Sequence, residues 1–461
     1  MKQKKEREKE ISQWPWISML PFGILAGYWG KREVRITAIS EYGFQTRLAA
    51  PATAEQKNAP WELAFYDQKT AFYQRILLRD ATFLQEKEED FNVVYTFATE
   101  QEDYRNAVQH LALQYSQYIR WKMEDDDAAL AEQMTGYPAE QDAFHLESLE
   151  EQKKVWFSGI GKETFVALQN GFAGSGQSVE LALELDRPEW YKAYLSKESA
   201  VFFDAYFRKN QIPDPPVFHP DRLYIGNAFC PHLAPPEEEL FALMDKACRE
   251  SFAITLTFPF LLEENLTETQ ARLQHLARWC EQKNKTIEIV VNDWGTAHLA
   301  AQLPVFSLCL GVLLNKRKKD PRMAYKLGNR TLFEQNSVHA AFYREYLKEE
   351  FRMERYEWES CGDTSTRKFP EGKNSLRLPF YQTNTSQYCP LYAACTEGSR
   401  GAQVPIRECP KFCERQAFLY PEHLRMVGRY NSLFGVDLTV LKRTGAMLEL
   451  RGVDRVVVNL L

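Results

Sequence analysis

The sequence contains no HExxH, no GxSxG elbow and no Gly-rich loop ending in Gly-Lys-Ser/Thr. Zinc-protease, serine-hydrolase and P-loop chemistries therefore have no local support. GFAGSGQS at 171–178 lacks the required ending and reads as a glycine-rich turn. The eight histidines are scattered, with no pair at metal-ligand spacing, so a thiol–histidine dyad would have to be assembled in space. Positive charge is not in excess: 57 Lys and Arg against 63 Asp and Glu leave a net charge of −6, and no global basic field draws the chain to nucleic acid. The apolar segment Trp14–Gly30 is short of the ~20 residues that span a bilayer. It carries Pro15 and Pro21 and follows a Glu-rich leader, which favours a strand or docking segment over an export signal or membrane anchor. Nine cysteines, an odd number spread unevenly, make a poor disulfide framework. A reducing, cytoplasmic setting is expected, with no membrane association.

The 461 residues, 44% hydrophobic and 26% charged, leave room for two or three domains with full-size cores. Residues 1–140 read as a β-rich, small-barrel-like module, because REVRITAISEYGFQTRLAA and WELAFYDQKTAFYQRILLRDATFLQ alternate aromatic and β-branched residues with polar ones. A helix is expected around Glu102–Lys122. ITAISEYGF resembles the IS–x–x–G turn of PilZ-type nucleotide-binding barrels, but without that family's phosphate-gripping arginine pair, so a barrel without the nucleotide is expected. Residues 141–215 form a mixed connecting region, and the prolines of Asn210–Arg222 mark a boundary. From 216 to 461 strands and helices alternate: RLYIG, FAITLTF, TIEIVVND, VFSLCLGVLL, MERYEWES and VDRVVVNLL as strands, PEEELFALMDKACRE, TETQARLQHLARWCEQ and SVHAAFYREYLKEEF as helices. This repetition predicts an α/β fold, with a TIM-barrel-like C-terminal domain behind the β-rich module and chemistry at the C-terminal strand ends.

Cys395, Cys409 and Cys413 stand in a C–x13–C–x3–C arrangement whose intervening loop is rich in Gly, Ser and Pro. Thiolates gathered in this way hold an iron–sulfur cluster or zinc. Cys230, just past the RLYI strand, is the candidate fourth ligand, and Cys361 and Cys389 are alternatives to it. Cys248, Cys280 and Cys309 read as buried small hydrophobes.

RLYIGNAFC, TLTFPFLLEENL, IEIVVNDWG and the three late cysteines followed by LYP resemble the collagenase-like peptidase family U-thirty-two, over about residues 220–461. The cysteine layout is most similar to the iron–sulfur accessory proteins of oxygen-independent ubiquinone hydroxylation, whose relatives include RNA-hydroxylating enzymes using prephenate as oxygen donor. The resemblance implies a [4Fe–4S] cluster on Cys230, Cys395, Cys409 and Cys413, with zinc as the alternative. It also implies an oxygen-independent hydroxylation-type reaction on RNA or a small molecule, or an accessory role in one, and a protein partner in a hetero- or homodimer. Hydrolysis of a protein, as the family label suggests, and a non-enzymatic scaffold are the alternatives. The family's Glu-x-Phe signature with its Gly-rich Cys-containing run is missing, and YEWESCGDTSTRKFPEGKNSLRL stands in its place.

Two candidate carboxylates remain. Asp293, in NDWG past a strand end, either enters a pocket or caps the next helix. Glu357 and Glu359 share one face of a strand; if that face is the barrel interior, burial raises their pKa and suits Glu359 to acid–base work. NKRKKDPRM, at 315–323, is a basic loop that either grips an anion, RNA phosphate included, or is a solvated turn.

Overall fold

In a computed structural model of the chain, the described residues are 11–18, 24–67, 70, 72–89, 92–124, 146–161, 164–165, 179–212, 219–317, 319, 334–361, 369–398, 401–420, 425–442 and 452–461. The glycine-rich turn at 171–178, most of the 315–323 loop and part of the proline-rich boundary lie outside them. The described residues fall into two compact units, one within 11–124 and the other within 146–461.

The first unit has nine described strands: β1 (Ile17–Ser18), β2 (Leu25–Trp29), β3 (Arg32–Val34), β4 (Ile36–Ser40), β5 (Gly43–Leu48), β6 (Trp61–Asp67), β7 (Phe72–Leu78), β8 (Thr82–Glu89) and β9 (Asn92–Ala98). They form two antiparallel sheets, ordered β1-β4-β5-β9-β8 and β3-β2-β6-β7. Inward residues of both sheets make one core, in which Trp29 stacks on Trp61 at 4.9 Å and Phe44 on Phe97 at 5.4 Å. Helix α1 (Glu102–Glu124) buries Ala107, Val108 and Leu111 in this core, and its Tyr104 hydroxyl reaches the carbonyls of Ser40 and Gly43, each at 2.7 Å.

The second unit is a closed barrel of eight parallel strands. In order around the barrel they are β10 (Glu180–Leu185), β11 (Arg222–Ile225), β12 (Ala253–Thr257), β13 (Ile287–Val291), β14 (Phe306–Leu310), β15 (Arg355–Glu359), β16 (Lys373–Thr385) and β20 (Arg455–Asn459), with β20 pairing back to β10. The barrel therefore opens at Glu180, inside the stretch read from sequence as a connecting region. Only the first part of β16 lies in the barrel. From Phe380 to Thr385 it pairs antiparallel with β19 (Ser432–Val436), which continues through β18 (Met426–Arg429) to β17 (Phe418–Leu419).

Outward residues of the strands, such as Leu181, Leu183, Leu223, Ile289 and Val456, pack beneath the helices in one large core. The inward positions differ from the branched aliphatic filling usual for such barrels. Ala182, Tyr224, Val290, Cys309 and Val457 form a small apolar plug, and the other inward positions carry charged residues with uncharged polar ones such as Thr255 and Ser375 among them. Arg377, 1% exposed, lies between Glu184 (2.5 Å) and Glu357 (3.2 Å). Arg455 reaches Glu288 and Glu180, each at 2.5 Å. Among the described residues no helix is long and apolar enough to cross a membrane.

Candidate metal centre

The loop after β11 brings the first thiol to the C-terminal mouth. Gly226 takes a positive φ of 115°, and a side chain there would meet the Thr257 carbonyl at 2.3 Å, so the chain can turn here only as glycine. Asn227 then fixes the loop: its side-chain oxygen accepts the N–H of Phe229 and of Cys230, both at 2.8 Å, while its amide donates to the Asp186 carbonyl at 3.0 Å. Cys230 is left buried at the end of this loop.

Four more cysteines follow the β16 strand. Cys389 is the N-cap of helix α2 (Pro390–Glu397), which ends at Gly398 in the left-handed region and carries Cys395 in its last turn. Cys413 lies in a single 3-10 turn, Phe412–Glu414, entered through Lys411 at a φ of 57°; the Lys411 N–H donates to Cys409 Sγ at 3.4 Å. The Tyr392 and Phe412 rings, 6.1 Å apart, pack this turn against α2.

The last residue of β18, Arg429, and the two-residue turn that leads into β19, Tyr430–Asn431, join these pieces. Arg429 donates to the Cys413 carbonyl at 3.0 Å. The Tyr430 carbonyl accepts the Cys389 thiol at 3.1 Å. Asn431 donates to the carbonyl of Phe229, next to Cys230, at 2.7 Å, and to that of Ser386 at 2.8 Å. Burial pushes the Cys230 thiol up, with the thiols of Cys413, Cys389 and Cys409 adding to it. Burial likewise raises Cys413 to about 12 and Cys389 to about 11, again with neighbouring thiols contributing. The thiols gather without closing: among the described residues no three His, Cys, Asp or Glu side chains are arranged to hold an ion as they stand. Two of the thiols point to oxygen acceptors instead, Cys389 to Tyr430 and Cys395 to Gln416 Oε1 at 2.7 Å.

The charge around the turn favours an anionic group. Arg429 is 6% exposed, its Nε has no hydrogen-bond partner, and no carboxylate pairs with it among the described residues. A buried unpaired guanidinium is costly, and this one favours the thiolate form of Cys413. A metal bound by four thiolates carries the negative charge that the site lacks, so the donor set and its surroundings fit either an iron–sulfur cluster or zinc. Beside Cys413 opens a cavity of about 200 Å³ whose lining carries both signs of charge, Lys153, Arg187, Lys209 and Arg429 with Glu150, Glu189 and Glu414. Arg187 is paired with Asp186 at 3.0 Å. Lys153 is buried against the Asn210 side chain (2.9 Å) and the backbone oxygens of Leu460 and Leu461; burial, with Arg187 and Arg429 nearby, holds its ammonium well below the usual lysine range. A larger cavity of about 320 Å³ is lined by His232, Phe258, Phe260, Glu268, Arg272 and Arg407 among others.

The other sequence candidates fall elsewhere. Asp293 caps the helix Trp294–Ala301, accepting the Thr296 N–H at 2.8 Å and its hydroxyl at 2.7 Å. Its carboxylate is thus committed to the cap, the second of the roles open to it from sequence, and it is not part of the thiol group. Glu357 and Glu359 do face the barrel interior and are buried. Burial, opposed by Arg377 and reinforced by Glu184, raises Glu357 to about 7. Glu359 is paired with Lys319 of the basic loop and accepts the Gln382 N–H at 2.6 Å. Cys361 sits among Arg317, Lys319, Asp437 and Glu359, with burial raising it to about 12. Cys280 and Cys248 pack in or against the main core, and Cys309 in the barrel plug. Sequence reasoning missed Arg429, Tyr430 and Asn431, for which RYNS offers no motif.

Comparison of the chain with protein-family models, curated proteins and solved structures finds no match.

Proposed function

We propose that this protein is an iron–sulfur protein whose thiols at the barrel mouth hold a [4Fe–4S] cluster, and that it takes part in an oxygen-independent hydroxylation-type reaction on a small anionic molecule, or serves as accessory to one. The observation that carries the reading is the buried Arg429, which pairs with no carboxylate among the described residues, set against a turn that gathers the segments of Cys230, Cys389 and Cys413. Cys230, Cys409 and Cys413 are the proposed common ligands, with Cys389 or Cys395 completing the set. When bound, the cluster supplies one-electron redox capacity at a potential tuned by charge and burial.

The chain's own residues would then bind and orient the substrate. Arg187 and Arg429 offer guanidinium groups to a carboxylate in the 200 Å³ cavity next to Cys413. Lys153 lines the same cavity, its Nζ held by Asn210 and the backbone oxygens of Leu460 and Leu461. The cavity suits a small organic acid better than an RNA strand or a peptide. The peptidase reading is weakened because, among the described residues, none of the five gathered thiols is hydrogen-bonded to a histidine side chain. Zinc satisfies the same charge and remains the second reading.

Electron paramagnetic resonance on anaerobically purified, dithionite-reduced protein tests the proposal. A paramagnetic cluster signal that shifts when small dicarboxylates are added, and no longer shifts in Arg187→Ala, is expected. An EPR-silent, colourless protein containing zinc would remove the redox reading.

A further inference from the structure

The resemblance places Cys395 in the ligand set, by its spacing from Cys409. The geometry of the Arg429–Asn431 segment points elsewhere. Arg429 at the end of β18 and the two turn residues after it each reach one of the converging segments: Arg429 the carbonyl of Cys413, Tyr430 the thiol of Cys389, and Asn431 the carbonyl next to Cys230. Among the described residues Cys395 makes no bond to this turn; its thiol donates to Gln416 Oε1 at 2.7 Å. Five residues of α2 lie between Cys389, the N-cap with extended backbone at φ −83° and ψ 114°, and Cys395 in the last turn. A four-ligand centre with Cys230, Cys409 and Cys413 takes one of these two thiols, and of the two only Cys389 is bonded to the turn that holds the segments of Cys230 and Cys413.

We infer that Cys389, and not Cys395, is the fourth thiolate of the centre. The inference rests on the metal-centre reading above, and it makes Cys395 a spare thiol held by Gln416. In the bound state the Cys389 thiol gives up its proton and its bond to the Tyr430 carbonyl in exchange for the metal bond. That carbonyl lies within one residue of the Arg429 side chain and the Asn431 amide, so the ligand exchange takes place on a turn already fixed at both ends.

The test uses the full chain purified anaerobically. Wild type, Cys389→Ala and Cys395→Ala are compared for iron, acid-labile sulfide and zinc, with circular dichroism to confirm folding. Loss of metal in Cys389→Ala and retention in Cys395→Ala is the expected result; the reverse, or loss in a folded Cys395→Ala, overturns the inference. Should Cys389→Ala fail to fold, cysteine footprinting of the wild type decides. Metal-loaded and chelator-treated protein are labelled with a maleimide and the modified peptides weighed. Cys389 becomes labelled only after stripping, while Cys395 is labelled equally in both; protection of Cys395 instead overturns the inference. A wild type with neither iron nor zinc is a different failure, because it removes the metal centre itself.

Discussion

At the N-terminal end of the barrel, Arg455 faces Glu288 and Glu180 at 2.5 Å each, Arg355 faces Glu288 at 3.2 Å and Asp454 at 2.8 Å, and Arg222 faces Glu180 at 2.7 Å. At the C-terminal end, on the side of the thiols, Arg429 is also buried; it donates to the Cys413 carbonyl and lies 5.3 Å from the centre of the Tyr430 ring, and among the described residues no carboxylate pairs with it. The first arrangement is closed on itself: each guanidinium has carboxylates, and the residues fill the barrel where other barrels use aliphatic side chains. The second is open, because among the described residues its cation pairs with no carboxylate. A buried ion network in balance explains structure and asks for nothing more, whereas a buried cation left over marks a place where something negative belongs. Four metal-bound thiolates would provide it.

The comparison breaks most visibly at Arg377. Replacing it by methionine strands Glu184 and Glu357 in the barrel interior and is expected to cost about 3–5 kcal/mol in urea unfolding; a cost under about 1 kcal/mol would mean the network is not structural. Glu357 gives a titration counterpart. Its folded pKa of about 7 lies above the ordinary value of 4.5. Its contribution is therefore fully present below about pH 4.5 and lost as pH rises through about 7. The loss is no more than about 3 kcal/mol for a shift of this size. Melting curves at pH 5 and pH 8 should show a decline in the wild type that is reduced in Glu357→Gln; equal declines would refute the assignment.

Arg429→Met sharpens the contrast from the open end. In chelator-treated protein it removes one charged hydrogen bond, about 1.5–3 kcal/mol, offset by relief of an unpaired buried charge. Its unfolding cost should be below that of Arg377→Met, while metal retention in the loaded protein falls. An unfolding cost as large as that of Arg377→Met would show Arg429 to be an ordinary structural ion. The smallest effect belongs to Asp293→Ala, which removes a helix cap at about 1 kcal/mol. Metal content should be unchanged in that variant, and metal loss would contradict the placement of Asp293 outside the site.

The same ionic interior explains what the sequence concealed. RLYI, AITLT, IEIVV and FSLCL announce buried strands because their inward charges are few. ELALEL carries Glu180 and Glu184 at alternating positions, the pattern of a half-solvated strand, so the first barrel strand passed as part of a connecting region. KNSLRLPFYQTNT was obscured in the same way by Asn374 and Arg377, and also by Pro379 in its middle. Of the thiols that the structure gathers, Cys230, Cys395, Cys409 and Cys413 were the ligand set expected from the sequence. Cys389 was legible only as a substitute for Cys230, because sequence separation hides that one turn near residue 430 reaches the segments of both. The helix cap at Asp293 was one of two readings, and only the Thr296 contacts decide between them.

The most direct measurement is the iron, acid-labile sulfide and zinc content of the anaerobically purified wild type, read with its visible absorption. About four irons and four sulfides per chain, in a brown protein, is the result expected for a cluster at the open end of the barrel. A colourless protein without iron, sulfide or zinc would contradict it.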